Sequence, residues 1–554
     1  MKRRHETNRH GTNGRGWRFM APAVIGLLAS LLLLWGLGDK YLWQDEAQTA
    51  VLGARMLRFG RPLAYDGLNL ITVDNFARED TQTIGQRTTS AEAGVDYYVR
   101  RGDFGHDTVW TFHPWGQFIV AAASLKVLGQ TTIAARLPFA LVSVLTLLLF
   151  YRWVTVTFHS PLMARLSSAL LVLNAYWILH GRQCRYYSLS GLFLMLTLMA
   201  YTMWQRGGRW GPVAFVVAAW CWFQVDYGTV WPVLGVLFLD AFLADWKHPW
   251  RPVQVGLALA AMIAPFIYYY HLWGRASAQY STWPQKFQDN LFNINEYVVP
   301  LPIVLAAAWL AAWRWKALSA AERRLMAVAC GIVLALVIWV PAVAPEGFLR
   351  YAIMAAPVGC LLSAWVLVCG CSLRPIYAWF GTVILVLTPW LSLPLHVLNT
   401  PPPWYPDSPW FRAELLTLRR EVFSPPPDPN RLVIDWLRQN AAPTDEILIN
   451  YEDLPLMFYL PNPIRGGVAA FRVEDDSKGP PAFLVMRKSV PFVHWRVFLR
   501  EINRYKWSLA PVKAPDVVWG NNPDHMGENQ NFTTANAIVV ARRKVGTETT
   551  EPQR

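Results

Sequence analysis

The chain has 554 residues, 54% hydrophobic and 16% charged, with a net charge of +14; ordinary soluble domains carry about 25% charged residues. That balance excludes a soluble globular protein, and the 29 Trp fit aromatic belts at two membrane interfaces. The 39 Pro and 35 Gly follow no period, which excludes a collagen-like chain, and the basic residues punctuate apolar runs without forming a basic face interleaved with aromatics, which excludes a nucleic-acid partner.

Residues 1–18 form a basic leader containing Lys2, Arg3, Arg4, Arg15 and Arg18, followed by the apolar run Phe19 to Gly38. No small-residue cleavage site follows, and about 20 apolar residues span a bilayer, so the run reads as a retained helix with the leader in the cytoplasm. Further spans are expected near 136–157, 161–180, 187–204, 211–225, 228–244, 252–270, 298–313, 325–342, 352–370 and 376–396, giving about eleven transmembrane helices. With Met1 inside, every inner connection is basic: Arg152 and Arg165; Arg206 and Arg209; Lys247 and Arg251; Arg314, Lys316, Arg323 and Arg324; Arg374. The membrane domain thus covers 19–396. The six cysteines, Cys184, Cys221, Cys330, Cys360, Cys369 and Cys371, lie in or beside apolar runs and read as packing residues.

The first outer loop, 39–135, is too long for a simple connection. Glu46 to Phe59 has near-helical apolar spacing, with Gly60-Arg61-Pro62 as its stop, and reads as a helix on the membrane surface. Pro114 to Leu128 is a second, juxtamembrane element, short for a span. Asn75 to Asp107 is a polar loop. After Pro394 come Thr400-Pro401-Pro402-Pro403 and Ser424-Pro425-Pro426-Pro427, stiff punctuation that makes 397–430 a Pro-rich linker. From Arg431 the chain reads as helix (Leu432–Asn440), strand (Glu446–Asn450) and helix (Glu452–Leu460), a small soluble α/β domain that the odd span count places outside. It carries no glycine-rich phosphate loop, no Cys/His pattern and no Gly-x-Ser-x-Gly turn. The fold class is mainly α: a polytopic helical bundle with juxtamembrane helices in a long first loop and a small C-terminal α/β domain.

This topology gathers Asp45, Glu46, His106, Asp107, His113, Arg136, Arg182, Arg185, Asp226, Arg275, Glu346 and Arg350 on the outer face. Ionisable groups at the rim of a hydrocarbon slab mark a site or serve as interfacial anchors. Asp45-Glu46 suits a general base or a metal ligand, and equally a first-turn charge complementing the helix dipole. Arg182-Gln183-Cys184-Arg185-Tyr186-Tyr187 offers paired guanidinium donors to a phosphate, or snorkels to bulk lipid. Glu346-Gly347-Phe348-Leu349-Arg350-Tyr351 holds another arginine, which either pairs with Glu346 at i, i+4 or joins the same phosphate. His113 precedes Pro114 at a helix start, where amide donors favour anions. His106, Asp107 and His113 lack the tight spacing of a zinc site, so a divalent metal stays open without a ligand set.

Taken in order, Asp45-Glu46, Ala50-x-x-Gly53-Ala54-Arg55-Met56-Leu57-x-x-Gly60, His113-Pro114, Gly129-x-x-x-x-Ala134-Ala135-Arg136-Leu137-Pro138, Arg182-Gln183-x-Arg185-x-Tyr187-Ser188-Leu189 and Arg350-Tyr351 resemble the GT-C fold polyprenyl-phosphate-dependent glycosyltransferases. The resemblance covers about residues 19–396 and is to the bacterial branch related to protein O-mannosyltransferases and lipid A aminoarabinose transferases. It implies a sugar donor on a polyprenyl phosphate, a lipid, glycan or protein acceptor, and a periplasmic active site in the bacterial inner membrane, with the C-terminal domain also periplasmic. It gives Asp45 the role of general base with Glu46 beside it, and gives Arg185, Arg350 and Tyr351 the carrier phosphate, joined by Arg182 and His113. Asp226, Tyr187, Asp107 and Arg136 are the candidate substrate pocket. Two stretches depart from the family: His113-Pro114-Trp115 where relatives show His-Pro-Pro or Lys-Pro-Pro, and Asp226-Tyr227 where many carry His-Tyr. The competing class is a transporter or lipid flippase, which also uses many helices and intramembrane charge.

Overall fold

A computed structural model describes residues 14–71, 104–105, 107–272, 281–345, 347–396, 410–467, 480–487, 503–514, 516 and 537–548. His106, Arg275, Glu346 and most of the polar loop from Asn75 lie outside these residues.

In chain order the helices are α1 (Gly14–Leu34), α2 (Gln44–Phe59), α3 (Gly116–Leu128), α4 (Thr132–Phe158), α5 (Pro161–Val172), α6 (Ala175–Gly181), α7 (Tyr187–Gln205), α8 (Gly211–Phe223), α9 (Tyr227–Ala244), α10 (Trp250–Tyr269), α11 (Trp283–Asn293), α12 (Leu301–Trp313), α13 (Ala320–Val343), α14 (Ala356–Trp365), α15 (Pro375–Leu387), α16 (Leu393–His396), α17 (Ala413–Phe423), α18 (Pro429–Asn440) and α19 (Asp453–Tyr459). Six segments, Thr132–Phe158, Tyr187–Gln205, Tyr227–Ala244, Trp250–Tyr269, Ala320–Val343 and Ile353–Gly370, are long and apolar enough to cross a membrane. Two more are broken: Pro161–Val172 with Ala175–Gly181 at 68°, and Trp283–Val298 with Leu301–Trp313 at 80°. The other three expected spans are shorter apolar helices, Met20–Leu34, Gly211–Phe223 and Pro375–Leu387. All eleven expected positions are therefore helical, and six to eight meet the length of a span.

The two breaks meet. Asn174 caps α6 by accepting from Trp177 N, and its Nδ2 donates to Tyr297 O at 2.9 Å, beside the π-helical turn Ile294–Val298. Irregular backbone at this depth persists because protein covers it and its polar groups find partners. At the end of the bundle formed by the α7–α8, α9–α10 and α12–α13 connections, Trp210, Trp246, Trp250, Trp313 and Trp315 are exposed. In sequence they stand among Arg206, Arg209, Lys247, Arg251, Arg314 and Lys316, the composition of a membrane-interface belt. The protein is a multi-pass membrane protein.

Two elements differ from their sequence reading. α2 reads from its sequence as a helix on the membrane surface. It packs instead against α3 and α19, so Gln44, Glu46, Gln48, Thr49 and Arg55 are buried along with Ala47, Ala50 and Val51. The stretch read as a Pro-rich linker contains α17, whose Glu421 pairs with Lys40 Nζ at 2.5 Å. The soluble domain is a five-stranded sheet of order β2-β1-β3-β5-β4: β1 (Ile447–Ile449), β2 (Ile464–Gly466), β3 (Phe483–Met486), β4 (Tyr505–Leu509) and β5 (Val539–Glu548). β1 runs parallel to β2 and β3, while β5 is antiparallel to β3 and β4. Its core is Val433, Ile434, Leu437, Ile447, Ile449, Leu456, Phe483 and Val485.

Candidate active site

Asp45 and Glu46 sit in the first turn of α2, but successive helical side chains point about 100° apart. The two carboxylates therefore separate into different surroundings. Glu46 turns inward with no side-chain exposure: Arg136 donates to it from Nε at 2.8 Å and from Nη2 at 2.6 Å, and Cys184 N donates at 2.8 Å. Asp45 keeps 22% of its side chain exposed, and its carboxylate accepts no hydrogen bond from any described residue.

Glu46 thereby staples the loop between α6 and α7 to the start of α2, and the residue after Cys184 is Arg185. Its Nη1 donates to Asp45 O at 3.1 Å, Gln48 Oε1 at 3.0 Å and Thr49 Oγ1 at 3.3 Å, which orients the guanidinium along α2. Its Nη2 faces Asp45 Oδ2 at 3.8 Å, an ion pair too long to be a hydrogen bond. Burial is the largest single influence and works against the Arg185 charge, but Asp45, Tyr187 and Tyr186 together outweigh it and hold the group more firmly cationic than an ordinary arginine. Its Nε is buried without a hydrogen-bond partner among the described residues.

Arg350 arrives from the opposite side. It lies in the 3₁₀ turn Leu349–Tyr351, with its guanidinium carbon 4.0 Å from the Phe348 ring centroid, 5.4 Å from that of Tyr351 and 5.7 Å from that of Trp43. Such aromatic faces attract a cation and hold its plane in place. Trp43 immediately precedes α2, so this stacking brings Arg350 to the Asp45 end of that helix.

The third wall forms where α3 meets the α8–α9 connection. Gly116 N donates to Gln224 O at 2.9 Å, and a Cβ on Gly116 would lie 2.7 Å from that oxygen, so only glycine permits the approach. The approach places His113-Pro114 beside Asp226. Asp226 caps α9 through Oδ1, which accepts from Gly228 N at 2.8 Å, while its Oδ2 accepts from Thr229 Oγ1 at 2.5 Å and Ser190 Oγ at 3.2 Å. Burial raises its carboxyl above the usual range, opposed by these hydrogen bonds. Replacing a cap of this kind with alanine removes about 1 kcal/mol, so Asp226→Ala should lower the thermal melting point of the purified protein.

These walls enclose a cavity of about 630 Å³ at one end of the bundle, lined by Asp45, His113, Arg185, Asp226, Arg350 and Tyr351 together with Tyr186, Tyr227, Trp231, Leu272, Trp339 and Val343. The lining combines charged groups with aromatic and aliphatic ones. Burial pushes the Tyr186 and Tyr351 phenols up, so both stay neutral hydroxyls at physiological pH.

No family model and no curated protein matches the sequence. Among solved structures, the crystal structure of ArnT from Cupriavidus metallidurans bound to undecaprenyl phosphate matches with a TM-score of 0.56 at 14% identity, covering 98% of this chain and 100% of that one. Its apo form matches with a TM-score of 0.57 at 15% identity, covering 95% and 97%. The chain has the GT-C fold.

The GT-C fold brings together six of the eleven residues expected at the site: Asp45, Arg185, Arg350, His113, Tyr351 and Asp226. Five go elsewhere. Glu46 and Arg136 form the buried pair described above, and Arg136 Nη1 also donates to Leu37 O at 3.0 Å and Lys40 O at 2.8 Å; both hold the fold around the cavity without lining it. Arg182 closes the end of α1 by donating from Nη2 to Trp35 O at 2.5 Å, serving carbonyls that a helix leaves unpaired. Burial, with Arg136 nearby, lowers its pKa to about 10. Asp107 is 53% exposed in a pair with Arg61 at 2.7 Å. Tyr187 packs edge-on against His180 at 5.0 Å, and its neighbour Tyr186 faces the cavity in its place. Trp231 and Trp339 carried no local signal, since tryptophans recur in most of the apolar runs. Among the described residues no group of three or more His, Cys, Asp or Glu gathers as a metal site.

Proposed function

We propose that the protein is a membrane glycosyltransferase that moves a sugar from a polyprenyl phosphate to an acceptor hydroxyl on a lipid, glycan or protein. The observation that carries this reading is one weakly paired carboxylate, Asp45, sharing a cavity with two arginines and an apolar wall. ArnT, the similar structure, was solved with undecaprenyl phosphate bound. In this reading the reaction runs at the periplasmic face of the bacterial inner membrane, with the N-terminus cytoplasmic.

The acceptor oxygen attacks the anomeric carbon from the face opposite the phosphate, its proton passes to Asp45, and the bond from the anomeric carbon to the phosphate oxygen breaks with its electrons leaving on the phosphate. The sugar is transferred with inversion. Arg185 and Arg350 take up the negative charge developing on the departing phosphate, and the Tyr186 and Tyr351 hydroxyls offer neutral donors beside them. Donors held rigid before the reaction in a water-poor site are worth more than the same groups in water. The wall of Trp231, Leu272, Trp339 and Val343 suits the first isoprene units of the carrier.

The test is to give protein in lipid nanodiscs a panel of undecaprenyl phosphate pentoses and hexoses with envelope extract as acceptor, and to follow release of undecaprenyl phosphate. Release from at least one donor is expected, and Arg350→Ala should slow it by about 10²–10³-fold, as for the loss of one stabilising donor. No release from any donor, with movement of a lipid across liposome membranes instead, overturns the reading in favour of a flippase.

A further inference from the structure

The soluble domain carries no catalytic motif, yet its edge is built around the segment that leads into Asp45. Tyr41 N donates to Asp428 Oδ2 at 2.5 Å, Leu42 N to Tyr459 Oη at 3.0 Å, and Asn430 Nδ2 to Leu42 O at 3.4 Å. The Tyr41 and Tyr459 rings stack at 4.0 Å. Gln44, the first residue of α2, donates from Nε2 to Asp453 Oδ1 at 2.9 Å and accepts at Oε1 from Leu454 N at 3.3 Å.

The contact with Gln44 comes from the carboxyl ends of the parallel strands. Asn450, Glu452 and Asp453 follow β1, and Arg487 follows the parallel strand β3. Domains of the α/β class commonly seat a ligand in a crevice at the carboxyl ends of parallel strands. Here the crevice is filled and rigid. Asn450 and Arg487 exchange two hydrogen bonds at 2.7 and 2.8 Å, and the buried Arg487 guanidinium holds Glu452, Asp516 at 2.8 Å and Asn430 at 3.0 Å. Gly467, at φ 70°, passes so close to Asp453 that a Cβ would lie 2.3 Å from its carboxyl carbon. Asp453 is thereby fixed from behind, and Gln44 is fixed by Asp453.

We infer that the C-terminal domain is a positioning element of the transfer site, which uses the Gln44–Asp453 contact to set the pose of Asp45. This rests on the glycosyl-transfer reading and deepens it. Gln44 and Asp45 are adjacent in one helical turn, so a shift of one displaces the other by a similar distance, and a misplacement of about 1 Å can lower a rate about 10²-fold.

The experiment uses the full chain in nanodiscs and the undecaprenyl phosphate sugar that the wild type turns over. Gln44→Glu opposes two carboxylates, and adding Asp453→Asn restores a donor and acceptor pair with its sense reversed. Both side chains are buried, so Gln44→Glu should also lower the melting point, and rates are compared per folded protein well below it. On that basis Gln44→Glu and Gln44→Ala should lower kcat at least tenfold with KM for the donor unchanged, and the Gln44→Glu, Asp453→Asn pair should recover kcat to within threefold. A Gln44 variant within twofold of wild-type kcat per folded protein, a change confined to KM, or a double variant that recovers the melting point without kcat overturns the inference. Normal turnover by Asp45→Asn is a different failure, which removes Asp45 as the base and leaves transfer standing, whereas absence of release from every donor by the wild type sinks the glycosyl-transfer reading itself.

Discussion

Replacing Asp45 with asparagine should lower carrier release by about 10²–10⁴-fold, the range expected for loss of a general base, while the protein folds as before. The amide has the size of the carboxylate but cannot take the acceptor's proton. Little stability is at stake, since the side chain is 22% exposed and meets Arg185 only at 3.8 Å; a partly exposed ion pair contributes at most about 1 kcal/mol. Arg185 also keeps its bonds to Gln48 and Thr49. The measurement is release of undecaprenyl phosphate by the wild type and Asp45→Asn at equal folded concentration. Equal rates would remove Asp45 from the chemistry.

The neighbouring carboxylate should behave in the opposite way. Glu46→Ala leaves Arg136 charged and buried with its partner gone, a change that destabilises by about 3–5 kcal/mol. It also removes the acceptor for Cys184 N, which anchors the loop carrying Arg185. The expected result is loss of monodisperse protein on size exclusion and a large drop in melting point. Removing both charges together, Glu46→Leu with Arg136→Met, should recover only part of this, because the Leu37, Lys40 and Tyr41 carbonyls lose their donor. Should Glu46→Ala fold normally and fail only in turnover, Glu46 would belong to the chemistry after all.

The contrast between these two residues shows what local sequence conveys. Asp45-Glu46 was legible as a pair because acids in the first turn of a helix beside a membrane are conspicuous, but a dipeptide does not show which member faces a cavity. The same holds for Tyr186 and Tyr187, and for Arg182 and Arg185: spacing placed each pair at the right turn, and only packing separated the member that lines the cavity from the one that supports it. α2 makes the point for a whole element. Its amphipathic spacing is genuine, yet its polar residues are buried against distant segments: Gln44 on Asp453 of α19, Glu46 on Arg136 and Cys184, and Gln48 and Thr49 on Arg185.

The sequence by itself determined the membrane class, the eleven helical positions, the clustering of charge at one end of the bundle and the existence of a small α/β domain, since each follows from composition and from periodicity over neighbouring residues. The tertiary structure alone decided that Asp45 pairs with Arg185 and shares a cavity with Arg350, that Glu46 and Arg136 are a buried staple, and that the soluble domain grips the residue preceding Asp45. Those facts depend on which side chains face one another across distant segments, and that is settled by the competition of all such contacts for burial and for hydrogen-bond partners, which no single stretch of chain contains.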